Sequence, residues 1–171
     1  MRPGRTIAAY FVSLQVMFGL EKYNYTTDKT LTAYSFMSNG PQGPIKKIAK
    51  FTEMGQNIFN FGFGDYDPAT GEISDTRVSN NKDMDMIMGT LGSIIYDFTN
   101  IISEALIYIE GTNTARTRLY QMNINKLWDR IEPIFEVFGL RQDKWEPFQK
   151  GINYLAFLGR RKGAFFVPNN Q

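Results

Sequence analysis

Three segments in the first half of the chain alternate apolar and polar residues with the two-residue period of a β-strand. In the third segment, Phe59, Phe61 and Phe63 fall on one face. Turns rich in Gly, Pro and Asn separate the segments, so the pattern predicts a meander of three consecutive antiparallel strands. The predicted strands span residues 31–37, 45–51 and 58–64.

A helical period follows the meander. Apolar residues recur at steps of three and four from Met84 to Ile101, and either Asn80 or Asn81 can cap the helix that this pattern predicts. The short apolar run over residues 105–111 then predicts a buried strand.

A second helix is predicted after this strand. Thr112 or Thr114 is its expected cap, and Pro133 ends it. Further strands are predicted over residues 134–140 and 152–159, and the later one is expected to close the sheet. The segment between them is predicted as an ordered connection or a helical turn.

These elements indicate an α+β fold in a single domain. An antiparallel three-strand meander followed by α-β-α-β would form a mixed sheet with two main helices packed on it. We expect the domain to span residues 21–162, with an apolar extension over 1–20 and a tail over 163–171. The apolar stretch 7–20 is too short to cross a bilayer. A start at Met17 explains it best, and a signal peptide or a packed helix are the alternatives.

Composition limits the chemistry that the chain can carry. It has no cysteine and no histidine, which excludes disulfides, thiolate catalysis and the commonest zinc ligands. Catalysis would therefore need Asp, Glu, Lys, Tyr or a metal held by carboxylates, and no cofactor is expected. The absence of cysteine is compatible with a cytoplasmic location.

Charge is spread unevenly along the chain, although the formal net charge is +2. Residues 1–64 carry seven basic and three acidic residues, residues 65–110 two and nine, and residues 111–171 ten and five. Such asymmetry can guide a charged partner, or it can reflect solvated surface.

The stretch "EGTNTARTRLYQ" predicts a phosphate site. A strand that runs through Gly into a helix points unpaired amides outward, and arginine adds bidentate donors for phosphate. The alternative is that the threonines are caps and the arginines pair with acids or with water. The predicted phosphate-binding residues are Gly111, Thr112, Thr114, Arg116 and Arg118.

Acidic residues between 65 and 85 could hold Mg²⁺ or Ca²⁺. The order of a meander, a helix, a strand ending in an acid and another helix resembles the opening of the ribonuclease H-like fold, and "SNNKD" resembles the start of that family's first helix. The resemblance implies that Asp83 or Asp85 acts with Glu110 in a Mg²⁺-dependent nuclease. The first strand has no acid, so the implied site is incomplete.

Basic residues predict contact with nucleic acid. Lys46 and Lys50 share a strand face, and Arg160, Arg161 and Lys162 end the last element. Together with aromatic neighbours they could follow a phosphate backbone. The alternative is that the lysines protect a strand edge and the terminal trio is solvated.

The words "SNNKDMDMIMGTLGSII", "EGTNTARTRLY" and "YLAFLGRRK" resemble a family of uncharacterised bacterial proteins of the Bacteroidetes type, over about residues 21–162. The family has no assigned activity, so the resemblance implies no catalytic residue. The residues within its motifs are Asn80, Asn81, Gly111, Thr112, Arg116, Arg118 and Tyr120.

Three functions compete. The first is a non-enzymatic module that binds nucleic acid, a nucleotide or another phosphate-bearing ligand. The second is the metal-dependent nuclease, and the third is a protein-interaction partner in a defence or toxin–antitoxin system. Oligomeric state stays open.

Overall fold

The computed structural model of the chain describes residues 19–74, 77 and 79–163. Three parts of the sequence predictions lie outside these residues. They are residues 1–18 of the expected extension, Asp75 of the acidic segment and residues 164–171 of the expected tail. The described elements are β1 (Tyr25–Thr27), β2 (Ala33–Gly40), β3 (Gly43–Gly55), β4 (Ile58–Asp67), β5 (Glu72–Ile73), α1 (Met84–Ile101), β6 (Leu106–Ile109), α2 (Thr114–Ile131), β7 (Phe135–Arg141), β8 (Lys144–Pro147) and β9 (Phe157–Arg161).

The fold is α+β with a mixed sheet, as predicted. The strands hydrogen-bond in the order β1-β2-β3-β4-β6-β9-β7-β8, with β5 beside β4. β6 runs parallel to β4, whereas β9 is antiparallel to both of its neighbours. The helix α1 supplies the crossover that a parallel pair requires. The predicted meander is confirmed as β2, β3 and β4, while a ribonuclease H-like arrangement is not.

The chain divides into two compact units. The first comprises the described residues up to Lys50 and Gly62–Asp97, and the second comprises Phe51–Phe61 and the described residues from Phe98 onward. β3, β4 and α1 contribute residues to both. The expected domain bounds of 21–162 stay a prediction.

The first unit buries the alternating face of β2 and the apolar stripe of α1. Tyr34 and Phe36 of β2 are buried, as are Ile87, Leu91 and Ile94 of α1. The steps of three and four between the helical residues are those that the sequence predicts. The long apolar period therefore located α1 correctly.

The second unit packs its helical residues on one face of its strands. The ring of Phe98, in α1, stacks 3.8 Å from Phe51 and meets Phe59 edge-on at 5.0 Å. Phe157 of β9 is buried in a cluster that contacts Trp128 and other residues of α2. Phe59 pairs with Ile107, and residues alternate between faces along a strand. These contacts therefore all lie on one face of the sheet.

Several sequence predictions were wrong. The first three residues of the segment "WEPFQKG", 145–147, lie in the edge strand β8, because Gln142 and Asp143 both have positive φ (51° and 59°) and close a tight hairpin onto β7. β9 begins at Phe157 and lies between β6 and β7. Arg160 and Arg161 consequently belong to a central strand.

The cap of α2 was also predicted wrongly. Asn113 occupies that position, and its Oδ1 accepts a hydrogen bond of 2.9 Å from the backbone amide of Arg116. Thr114 is the first residue of the helix, and Thr112 lies before the cap. The helix continues unbroken to Ile131, just before Pro133.

Candidate anion-binding site

A cleft of about 710 Å³ lies in the second unit, at the end of β9. Its lining includes Arg160, Arg161 and Lys162 and the Gln56–Asn57 turn. Two carboxylates, Glu104 and Glu136, share the lining. We call this space the β9 cleft. It collects the basic trio that the sequence predicts as part of a nucleic-acid surface.

Strand register positions Arg160 in the cleft. Arg160 stands opposite Glu136 on β7, and its Nε donates a hydrogen bond of 2.6 Å to Oε2 of that carboxylate. The two side chains are 51% and 43% exposed, so the ion pair contributes little to stability. The guanidinium also lies 5.8 Å from the ring of Phe138. Arg160 is therefore held in orientation by Glu136, while its side chain stays half exposed to solvent.

The other two cations of the trio are held differently. Arg161 donates from Nη2 to Oδ1 of Asn100 at 2.5 Å and from Nε to Oγ1 of Thr99 at 3.3 Å, and both partners belong to the last turn of α1. Lys162 is exposed, and its ammonium has no hydrogen-bond or ion-pair partner among the described residues. The trio thus combines a fixed guanidinium with a lysine that can reach a ligand.

Some backbone amides of the predicted phosphate-binding turn already donate hydrogen bonds within the protein. The amide of Gly111 donates to Oγ1 of Thr117 at 3.1 Å, and that of Arg116 donates to the cap. A Cβ at Gly111 would lie 2.4 Å from the nitrogen of Thr117, so the close approach requires glycine. Arg118 is exposed and has no side-chain partner in the described part of the chain, whereas Arg116 is half-buried and engaged.

The structure does not bring this turn to the β9 cleft. In the antiparallel pair of β6 and β9, Ile107 stands opposite Gly159 and Ile109 opposite Phe157. The turn that contains Gly111 therefore follows one end of β6, while the trio lies beyond the other end. The separation is roughly six residues of strand, on the order of 20 Å.

The predicted strand lysines lie in the first unit. The ammonium of Lys46 lies 4.1 Å from the ring of Tyr66, and Lys50 pairs with Glu72 at 2.6 Å. Lys47, between them in sequence, is buried and forms an ion pair with Asp65. Sequence analysis missed this pair because an alternating strand pattern places Lys47 on the apolar face without showing its partner.

The predicted metal ligands have protein partners. Asp83 accepts hydrogen bonds from the hydroxyls of Tyr23 at 2.8 Å and Ser38 at 2.5 Å. Glu110 accepts one from Tyr108 at 2.6 Å, and Asp85 is exposed and also engaged. Across residues 19–74, 77 and 79–163, no group of three or more Asp, Glu, His or Cys side chains could hold a metal ion. The nuclease and protein-partner alternatives stay predictions.

An asparagine of the motif "SNNKD" hydrogen-bonds to the hairpin of β2 and β3. Asn81 is 2% exposed, and its Nδ2 donates to Oγ of Ser38 at 3.0 Å and to the carbonyl of Gly43 at 2.9 Å. Its Oδ1 accepts from the amide of Gln42 at 2.9 Å. Asn81 thus joins the start of α1 to the turn between β2 and β3, and its place in the motif has a structural reason.

One sheet face of the second unit carries aromatic side chains next to Arg160. Tyr108 stands opposite Leu158, which stands opposite Phe138, and Trp145 stands opposite Leu140, two residues beyond Phe138. The three aromatic side chains therefore lie on one face and alternate with the residues that meet the helices. Tyr108 and Trp145 meet edge to face, with ring centroids 6.1 Å apart. We call Tyr108, Phe138, Trp145 and Arg160 the open face.

Sequence analysis missed the open face. Tyr108 lies in a run that was predicted to be buried throughout, and Trp145 lies in the segment predicted as a connection or turn. The alternation of Ile107 and Ile109 with Tyr108 and Glu110 is a signal that could have identified a two-sided strand.

Comparisons with known proteins give one match. Residues 19–162 match the model of a family described as a family of unknown function, DUF6934. This match confirms the predicted resemblance to a family without an assigned activity. No curated protein and no solved structure matches the chain. Within the described residues, no helix has the length and apolar character needed to cross a membrane.

Proposed function

This chain belongs to DUF6934, a family of unknown function, and we propose that it binds a phosphate-bearing ligand, either a nucleotide or a nucleic acid, in the β9 cleft. The observation that carries the proposal is that Arg160, Arg161 and Lys162 all line one cleft of about 710 Å³. Arginine and lysine are the side chains that proteins use most to bind phosphate.

The energetics of the cleft favour a ligand with several negative charges. Arg160 is paired with Glu136 through an exposed contact worth at most about 1 kcal/mol, so a phosphate can replace that carboxylate. Arg161 is already oriented by Asn100 and Thr99, which lowers the entropy lost on binding. A single phosphate must compete with Glu104 and Glu136, whereas a chain of phosphates can contact the three cations together.

The proposed activity is binding, without a catalytic step. The turn with Arg116 and Arg118 stays a predicted second phosphate contact, and Lys46 with Lys50 a predicted third. The experiment below tests the β9 cleft alone.

Fluorescence anisotropy of labelled oligonucleotides and nucleotides at 50 and 200 mM salt tests the proposal. The variant Arg160→Ala with Lys162→Ala should weaken binding at least tenfold and reduce the slope of log K against log salt by about 1.4 to 1.8, since each phosphate contact contributes about 0.7 for a single strand and about 0.9 for a duplex. Arg161 is left in place because it bonds to α1.

The matched control removes two exposed lysines outside the cleft, Lys29 and Lys150, and should change affinity less than threefold. Circular dichroism checks that each variant is folded. The proposal is wrong if no phosphate-bearing ligand binds at 50 mM salt, or if the control variant loses as much affinity as the cleft variant.

A further inference from the structure

We propose that the ligand is single-stranded nucleic acid, with phosphates in the β9 cleft and bases stacked on the open face. This inference rests on the function proposed above and names its ligand class. The observation behind it is that Arg160 belongs to both surfaces. Arg160 lines the cleft, and its guanidinium lies 5.8 Å from the ring of Phe138.

The open face is not covered by the helices of its unit. The contacts of Phe98 and Trp128 lie on the opposite side of the strands, with Phe59 and Phe157. Trp145 is 42% exposed and lies on β8, which pairs with β7 at the edge of the strand order. A large aromatic side chain exposed on an edge strand leaves apolar surface in contact with water, which is unfavourable. A binding surface is one function that accounts for such exposure.

Two of the aromatic rings contact each other, and one of them is also hydrogen-bonded. The hydroxyl of Tyr108 donates to Oε2 of Glu110 at 2.6 Å, and Trp145 meets the Tyr108 ring at an interplanar angle of 74°. Burial and the neighbouring Glu110 raise the pKa of Tyr108 to about 12, so the ring stays neutral. A base can therefore stack on surfaces that need little ordering when it binds.

The charge of the β9 cleft and the aromatic chemistry of the open face together favour single-stranded nucleic acid as the ligand. Unstacked bases present π-faces that stack on aromatic side chains, while a duplex hides those faces and a free phosphate has none. A protein partner would not require a cleft lined by three cations that shares Arg160 with the aromatic surface. Glu110, beside Tyr108, repels phosphate there, so the phosphates follow the Arg160 end and the bases the Tyr108 end.

Trp145 provides an intrinsic reporter. The chain has two tryptophans, and Trp128→Phe leaves Trp145 as the sole one. Titration with an unlabelled 12-nucleotide single strand should quench its emission, and titration with inorganic polyphosphate should not. If Trp128→Phe does not fold, the same comparison is made between the wild type and Trp145→Phe.

Affinities of Trp145→Ala complete the test. This variant should bind the single strand about tenfold more weakly and polyphosphate equally well, and Trp145→Phe should recover most of the affinity. Met122→Ala, which removes another exposed apolar side chain, should match the wild type.

The results separate the two proposals. If Trp145→Ala binds the single strand like the wild type, or if a duplex binds as well as the single strand, stacking on the open face is refuted while phosphate binding in the cleft stands. If neither the single strand nor polyphosphate binds, both proposals fail.

Discussion

Replacing Asn81 with alanine should destabilise the protein far more than replacing its neighbour Asn80. The two asparagines are adjacent in the same motif, but they have different surroundings. The Asn81 side chain is 2% exposed and makes three hydrogen bonds, whereas the Asn80 side chain is exposed and accepts one of 3.3 Å from Lys82. The pair is therefore a matched test of what the motif does.

The magnitude follows from the partners that Asn81→Ala leaves behind. The amide of Gln42 and the carbonyl of Gly43 lose a partner, while Ser38 keeps its bond to Asp83. Each stranded group costs about 1–3 kcal/mol when buried, and these two are partly buried, so we expect a loss of about 2–3 kcal/mol. Asn80→Ala should cost less than about 1 kcal/mol.

Urea denaturation followed by circular dichroism measures both effects. With a slope of roughly 2 kcal/mol per molar urea, Asn81→Ala should lower the midpoint by about 1–1.5 M. Binding of single-stranded oligonucleotides by the folded variant should be unchanged. A midpoint shift below about 0.3 M, or equal shifts for the two variants, would refute the assignment of Asn81 as a structural clamp.

Three further predictions concern other parts of the chain. Gly111→Ala should lower the melting temperature strongly, because the new Cβ meets a backbone nitrogen at 2.4 Å, while Gly92→Ala, with open space around it in α1, should stabilise by up to about 1 kcal/mol. Lys47→Met alone should cost about 3–5 kcal/mol by stranding a buried charge, and adding Asp65→Leu should restore most of that loss in urea denaturation. The raised pKa of Tyr108 favours its neutral form in the folded state, so part of the stability present below pH 10 should be lost between pH 10 and about 12, and this loss should be smaller in Tyr108→Phe.

Long periodic patterns could be predicted from the sequence, whereas tight turns and long-range pairs could not. The apolar steps of α1 extend over 18 residues, so its end was predicted within about one residue, whereas it begins at Met84, later than a cap at Asn80 or Asn81 implies. The turn at Gln142 and Asp143 was missed because it lacks the glycine that marks such hairpins, although Gln56 and Asn57 form a similar turn with φ of 51° and 61°.

The candidate site was predicted in part. The basic trio was identified from its charge, but local patterns cannot show that β9 lies between β6 and β7, so its separation from the 111–118 turn was not foreseen. The cap of α2 was misplaced because Thr112, Asn113 and Thr114 all suit that role, and the choice depends on where Gly111 meets the helix.

The central position of β9 sets the order in which the chain can mature on the ribosome. Both strands that flank β9, β6 and β7, are synthesised before it and have no partner for these edges until Phe157–Arg161 emerges. A nascent or prematurely terminated chain therefore exposes two bare strand edges, which are sites for intermolecular pairing. The sheet is completed and the three cations are added in the same late step, so a product truncated before β9 would lack the basic trio and be prone to aggregate.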